Sequence, residues 1–221
     1  MIGIYEDVKG KSFMDSLFRY DNKFWGLIEK ITDIVLLNFL FIVTCIPVLT
    51  IGASLSAMYS VALKKIKNED IYVAKEFIKS FRENFKVSTI VWILMIVVGC
   101  VLLLDFYISN LVPNKALGII LKFISTIVGI IYLFSLTYIF PIISKFDNTI
   151  KNTFINSVLI SIQSLPYTMI MSIMNILWMI LIFSLKNHFG NILFFYIIIG
   201  FGIVSYVNSI FLNKIFDKYT K

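Results

Sequence analysis

Apolar segments of membrane-spanning length run through most of the chain and are separated by short polar stretches. The first apolar run covers residues 28–63 and is too long for one span of about 20 residues, so it must fold back once. Its only charged residues stand near its start, at Glu29, Lys30 and Asp33. Pro47 lacks a backbone donor and ends the first helix, and Thr50 is placed to cap the second. The pattern predicts a hairpin of two spans, 28–46 and 50–66.

Small side chains crowd the second helix of this hairpin. They are Gly52, Ala53, Ser54, Ser56, Ala57, Ser60 and Ala62. Small residues let helices approach closely in lipid, where no hydrophobic drive brings them together. We therefore expect this helix to be buried, with Gly52 on its contact face just after the turn. A second interpretation stays open, because residues 51–63 are short for a span and also suit a soluble-type core helix or a half-inserted segment.

Four further apolar segments follow the hairpin. They cover residues 87–111, 116–140, 167–185 and 191–215. Two polar stretches, 12–27 and 69–86, repeat apolar residues at helical spacing and predict amphipathic helices at the membrane interface. The sequence predicts an all-α polytopic membrane bundle, one domain over residues 1–221, with about six transmembrane helices in three hairpins.

The charges predict an orientation. The net charge is +7, but the basic residues gather at the ends of apolar segments among acids, which indicates membrane topology rather than nucleic-acid binding. Six spans with both termini cytoplasmic leave only Lys115, Lys122 and Lys186 outside. Five spans would also move the cations between Lys9 and Lys30 outside, which the positive-inside rule disfavours. We expect a multi-pass protein of the cell membrane with both termini in the cytoplasm.

Few residues suit catalysis or metal binding. The single histidine, His188, stands in a short polar loop, and Cys45 and Cys100 both fall inside predicted spans. Neither a zinc site nor a disulfide framework is supported by this pattern. Nucleotide-binding and nucleophile-elbow motifs are lacking as well. We expect no catalytic residues, no cofactor, no metal and no enzymatic activity.

Polar side chains inside spans are costly and are the default functional candidates. Asp105 and Lys122 are about equally far from the turn at Asn114, so an antiparallel hairpin would bring them to one depth as an ion pair. Such a pair would either fix the hairpin or serve a substrate or a proton. Asn38 and Asn175 lie mid-span and are placed to bond across helices.

The first half of the chain also carries the residues of a known family. They are Asn38, residues 46–54, 57–59 and 64–66, the acidic pair Glu69 and Asp70, residues 77–86, and Trp92. In this block the chain resembles the YesL family of bacterial membrane proteins, and the second half resembles it by hydropathy only. The function of that family is unknown, and its members are often encoded beside carbohydrate-uptake transporters, solute-binding proteins and glycoside hydrolases of Gram-positive bacteria. The resemblance implies a cellular context and no particular site residues.

Two functions are compatible with these features. The first is a non-enzymatic accessory protein that associates with the permease subunits of an ABC-type carbohydrate uptake system and docks through residues 69–86. The second is a small secondary transporter or channel whose pathway passes the four intramembrane polar residues. The expected partners are the lipid bilayer and a permease, without nucleic acid.

Overall fold

The computed structural model describes residues 23–184 and 189–220, and this part of the chain is helical without any strand. Its helices are α1 (Lys23–Cys45), α2 (Ile51–Ile66), α3 (Val73–Ile108), α4 (Lys115–Lys145), α5 (Ile150–Gln163), α6 (Leu165–Ser184), α7 (Phe189–Phe195) and α8 (Phe201–Phe216). A 3-10 turn, Val48–Thr50, precedes α2, and a π turn, Tyr196–Gly200, precedes α8. The all-α prediction is confirmed for these residues. Most of the predicted helix at 12–27 lies outside them.

Three helical segments of the described chain are long and apolar enough to cross a membrane. They are Val73–Ile108, Lys115–Lys145 and Leu193–Phe216. Helices α5 and α6 supply a fourth if they are counted together, although the chain bends by 103° between them. This is fewer than the predicted six. In the first hairpin, α2 has only 16 residues, and α1 includes the charged residues near its start.

Helix α3 is one uninterrupted helix of 36 residues. The sequence predicted a surface helix over 69–86 that is separate from a span at 87–111, and the separation of the two is wrong. No proline or glycine stands between Val73 and Gly99 to end a helix, so a polar first half and an apolar second half share one axis. The helix is about 54 Å long, well beyond the roughly 30 Å hydrocarbon core of a bilayer. Its polar half therefore extends beyond any membrane that its apolar half crosses.

The hydroxyl of Thr50 holds the turn between α1 and α2. Thr50 Oγ1 lies 2.7 Å from the carbonyl oxygen of Pro47 and 2.5 Å from that of Thr44, so its one hydroxyl hydrogen is shared between these two acceptors. It makes no side-chain hydrogen bond to the first turn of α2, so the predicted capping role is replaced by bonds back toward α1. The apolar tip of the hairpin is exposed at Ile46, Val48 and Leu49.

Helix α2 is the centre of the bundle. It packs against α1, α3, α4 and α8, and nearly all of its residues 52–63 are buried. A Cβ atom added at Gly52 would stand 2.5 Å from the carbonyl oxygen of Ser88 and 2.7 Å from Cβ of Trp92. One turn later, Ser56 Oγ and Ser88 Oγ are 2.8 Å apart. The small residues thus let α2 lie directly on the backbone of α3.

Ion pairs tie the helices together at the opposite end of α2, which we call the charged end. They join Asp33 to Lys65 (2.7 Å), Lys64 to Glu76 (2.7 Å), Lys67 to Asp217 (3.5 Å) and Lys145 to Asp217 (3.7 Å). The other end of α2 lies at the height of Trp92, whose Nε1 donates to the carbonyl oxygen of Val48 at 3.0 Å. Along α3 it is about 24 Å from Glu76 to Trp92 and about 24 Å further to Ile108. The hairpin of α1 and α2 therefore reaches only about halfway up α3.

Replacing Gly52 by leucine is expected to destabilise the protein by about 1–3 kcal/mol, because the new side chain overlaps the backbone of Ser88 and must separate α2 from α3. Gly129→Leu is the matched control, since nothing lies within 4 Å of a Cβ atom there. Thermal unfolding of both variants in one detergent measures the difference. Equal melting temperatures would contradict the close approach of the two helices.

Candidate functional site

The polar half of α3 presents a row of charged side chains on its outer surface. We call this row the charged face, and it consists of the exposed residues Lys75, Lys79, Arg82, Glu83 and Lys86. Lys75, Lys79, Arg82 and Lys86 follow one another at three or four residues, and Glu83 is next to Arg82, so all five lie on one side of the helix over about 16 Å. The charged side of the amphipathic pattern predicted over 69–86 is therefore present, but it belongs to the first half of a longer helix and not to a separate surface helix.

Part of the apolar side of this half-helix is covered by protein, while Ile78 and Phe85 are 44% and 41% exposed. An amphipathic helix on a membrane surface sinks its apolar side into lipid. Here Phe77 is 0% exposed and packs in a cluster with Phe41 of α1 and Val61 of α2. The charged face is thus the side of a helix held upright against α2, and it is not the upper side of a helix lying flat on lipid.

A cavity of about 340 Å³ lies further up the bundle, among α2, α3, α4, α6 and α8. Its apolar walls include Leu55, Met58, Trp92, Leu136, Phe140 and Val204. Its polar lining includes Tyr59, Thr137, Ser172, Asn175 and Ser205, and none of the described lining residues is a Lys, Arg, Asp or Glu. Leu133 and Ile176 also line it and are 49% and 42% exposed, so the cavity opens between α4 and α6.

A pair of asparagines joins α8 to α6 beside this cavity. Asn208 Nδ2 lies 3.0 Å from Asn175 Oδ1 and 3.4 Å from the hydroxyl oxygen of Tyr59. Asn208 is 0% exposed, yet its Oδ1 has no hydrogen-bond partner among the described residues, and neither has Ser172 Oγ. Buried polar atoms are nearly always hydrogen-bonded. Asn208 Oδ1 and Ser172 Oγ are therefore two buried polar atoms beside the cavity that could each still form a hydrogen bond.

Asn38 serves a different purpose. Its Nδ2 donates to the carbonyl oxygens of Ile197 (2.5 Å) and Ile198 (2.8 Å), and its Oδ1 accepts from the backbone N–H of Gly202 (2.9 Å). A π turn interrupts the regular hydrogen-bond pattern of an α-helix, and the Asn38 amide bonds the backbone groups in and after this one. Asn38 is fully buried with both amide atoms engaged, which is the arrangement of a structural residue.

The predicted ion pair between Asp105 and Lys122 is not among the ion pairs of residues 23–184 and 189–220. Asp105 Oδ2 instead accepts a hydrogen bond from Ser125 Oγ. Ser125 is buried and occupies the side of α4 that faces α3. The prediction was wrong about the partner, because counting residues from a turn gives depth along a hairpin but not the rotation of each helix.

The polar residues selected from the sequence do not converge on one site. Asn38 bonds the π turn, Asp105 bonds α4, and Asn175 bonds Asn208. Sequence reasoning missed Asn208, although an asparagine inside an apolar segment meets the criterion that selected Asn38. It also missed Tyr59, which gives no such signal because tyrosine is common in apolar packing and at membrane interfaces.

Comparison with known proteins concerns the first half of the chain. Residues 34–106 match the model of a family described as a protein of unknown function, DUF624. The matched segment includes the turn after α1, all of α2 and the charged face. No curated protein and no solved structure matched the chain. Within the described ranges, no group of three or more His, Cys, Asp or Glu side chains could hold a metal ion.

Double-mutant cycles test the contact between α3 and α4. Asp105→Ala and Ser125→Ala should be coupled by about 0.5–3 kcal/mol, because each removes one partner of the same hydrogen bond. Asp105→Ala and Lys122→Met should instead be additive within about 0.5 kcal/mol. Thermal stabilities of the single and double variants provide both values. Coupling of Asp105 to Lys122 in place of Ser125 would mean that α4 is rotated about its axis relative to this structure.

Proposed function

We propose that this chain is a non-enzymatic accessory protein of the bacterial cell membrane, and that it docks on a membrane partner through the charged face of α3. The observation that supports the proposal is the exposure of five charged side chains on a helix that packs on α1 and α2 through the buried Val73 and Phe77. Because these contacts are made with protein, the helix does not lie flat on lipid. Its charged side is available to a protein partner.

The apolar half of α3 suggests where the bilayer lies. Residues 87–108 rise about 33 Å, close to the roughly 30 Å of a hydrocarbon core. With the bilayer at this height, α3 and α4 cross it. The exposed tip of the hairpin at Ile46 and Val48 enters only the nearer leaflet. In the segment Leu193–Phe216, Gly202 bonds Asn38, below this tip. We propose that α3 and α4 are full spans beside a half-inserted hairpin, in place of six full spans.

The distribution of basic residues supports an orientation for this arrangement. Helix α1 starts and α8 ends on the side of the charged end. The cations of the charged face and of the charged end gather on that side, and cytoplasmic segments carry an excess of Lys and Arg. We propose that this side, with both termini, is cytoplasmic.

The charged face also suggests the chemistry of the partner. It carries four basic residues and one acidic residue, so an acidic protein surface complements it and would be steered toward it. The row stands upright beside the bundle. A protein surface placed laterally can cover its whole length, whereas a layer of lipid head groups meets only the part nearest the bilayer.

The cellular context comes from the sequence resemblance. The block from Asn38 to Trp92 that resembles the YesL family lies inside the segment that matches the family of unknown function. Members of the YesL family are often encoded beside carbohydrate-uptake systems. We therefore propose the permease subunits of an ABC-type oligosaccharide uptake system as the partner.

A small secondary transporter is the second candidate, and the cavity beside Asn175 favours it. Coupled transport commonly relies on ionisable residues within the membrane. The described lining of this cavity contains no Lys, Arg, Asp or Glu. The lack of these ionisable residues in the described lining therefore makes transport the second choice and the accessory function the first.

Charge reversal of the charged face tests the docking. Lys75→Glu, Lys79→Glu and Arg82→Glu together should lower the recovery of permease subunits by about tenfold or more, because the altered face repels an acidic partner. Lys115→Glu, at the far end of the bundle, is the matched control and should leave recovery unchanged. The measurement is the amount of permease that co-purifies per mole of protein from native membranes in mild detergent.

Full recovery of permease by the triple variant would refute docking through this face. Sugar uptake by the purified protein alone in liposomes would refute the accessory role and would support the transporter.

A further inference from the structure

We infer that the cavity between α4 and α6 binds an uncharged amphiphile, with one apolar chain and a hydroxyl-bearing head, that enters from the bilayer. The cavity and the charged face share no residue. The inference rests on the proposed position of the bilayer but not on the proposed docking of a partner, so the two proposals can fail separately.

With the bilayer placed as proposed above, the opening of the cavity lies at the height of the hydrocarbon core. Leu133 and Ile176 form its exposed edge. The neighbour of Leu133, Tyr132, donates a hydrogen bond from its hydroxyl to the carbonyl oxygen of Met95 at 2.9 Å. Leu133 therefore lies beside the apolar half of α3. A molecule at this opening comes from among acyl chains rather than from water.

The walls of the cavity suit an apolar chain. Its volume of about 340 Å³ falls in the range of about 300–1,000 Å³ that is usual for small-molecule sites, which are also mainly apolar. A carboxylate or a phosphate would lose its hydration here and meet no cation in the described lining, which is strongly unfavourable. The occupant should therefore be neutral.

The polar lining suits a hydroxyl group. Ser172 Oγ is buried without a hydrogen-bond partner among the described residues. Asn175 uses its Oδ1 for Asn208, which leaves its amide N–H groups as donors. A hydroxyl both donates and accepts, so it can bond Ser172 and Asn175 at once, as an alkane cannot.

Trp92 lines the cavity and provides a reporter of binding. The chain has 3 tryptophans, so Trp25→Phe together with Trp178→Phe leaves Trp92 alone. The probe is a dibrominated octadecanol added to the protein in detergent, because bromine quenches tryptophan on contact. We expect saturable quenching that unbrominated octadecanol reverses. A dibrominated octadecane, which lacks the hydroxyl, should bind about three- to tenfold more weakly.

Substitutions in this background locate the binding. Ser172→Leu places a large side chain in the cavity and should abolish saturable quenching, whereas Thr126→Leu on the exposed side of α4 should leave it unchanged. Ser172→Ala keeps the cavity open and guards against misfolding of the leucine variant. It should weaken binding of the alcohol while leaving the alkane unaffected.

Two results would overturn the inference. Quenching that rises linearly with the probe and is equal in all variants would mean that Trp92 senses only the surrounding detergent. Equal affinities for the alcohol and the alkane would mean that Ser172 and Asn175 do not recognise a head group.

Discussion

The close contact of α2 with α3 is the constraint on which the rest of the structure depends. A side chain larger than hydrogen at Gly52 would collide with the carbonyl oxygen of Ser88, and Ser56 bonds Ser88 one turn further on. Small residues let these two backbones approach closely. Because α2 lies along the polar half of α3, it covers Val73 and Phe77 of that half and leaves the charged side facing outward.

The same contact determines how far the first hairpin reaches. Since α2 begins beside Trp92 and ends beside Glu76, the apolar half of α3 continues above the hairpin without it. There α3 is accompanied by α4, and many of their apolar side chains are exposed, such as Leu103 and Ile119. Exposed apolar surface of this extent is suited to lipid. The described helices thus divide into a part whose exposed apolar surface suits lipid and a part that carries the charged face.

The sequence predicted those features that depend on local pattern. Pro47 and the small residues after it indicated the turn and the buried α2, and the half-inserted alternative for residues 51–63 is the one that we propose. The course of α3 was harder to predict, because an amphipathic stripe looks the same whether its apolar side meets lipid or protein. The partner of Asp105 depends on the rotation of α4, which sequence spacing does not reveal. The unpaired oxygen of Asn208 is a product of tertiary packing alone.

The height of the hairpin turn is the central claim, and cysteine labelling in intact cells tests it most directly. Val48→Cys and Leu111→Cys are a matched pair, because both native side chains are 63% exposed. Each is made with Cys45→Ala and Cys100→Ala, which remove the native cysteines. A membrane-impermeant maleimide applied from outside should label position 111 and leave position 48 unlabelled. Equal labelling at both positions would show that the hairpin crosses the whole bilayer, and would contradict the half-inserted arrangement.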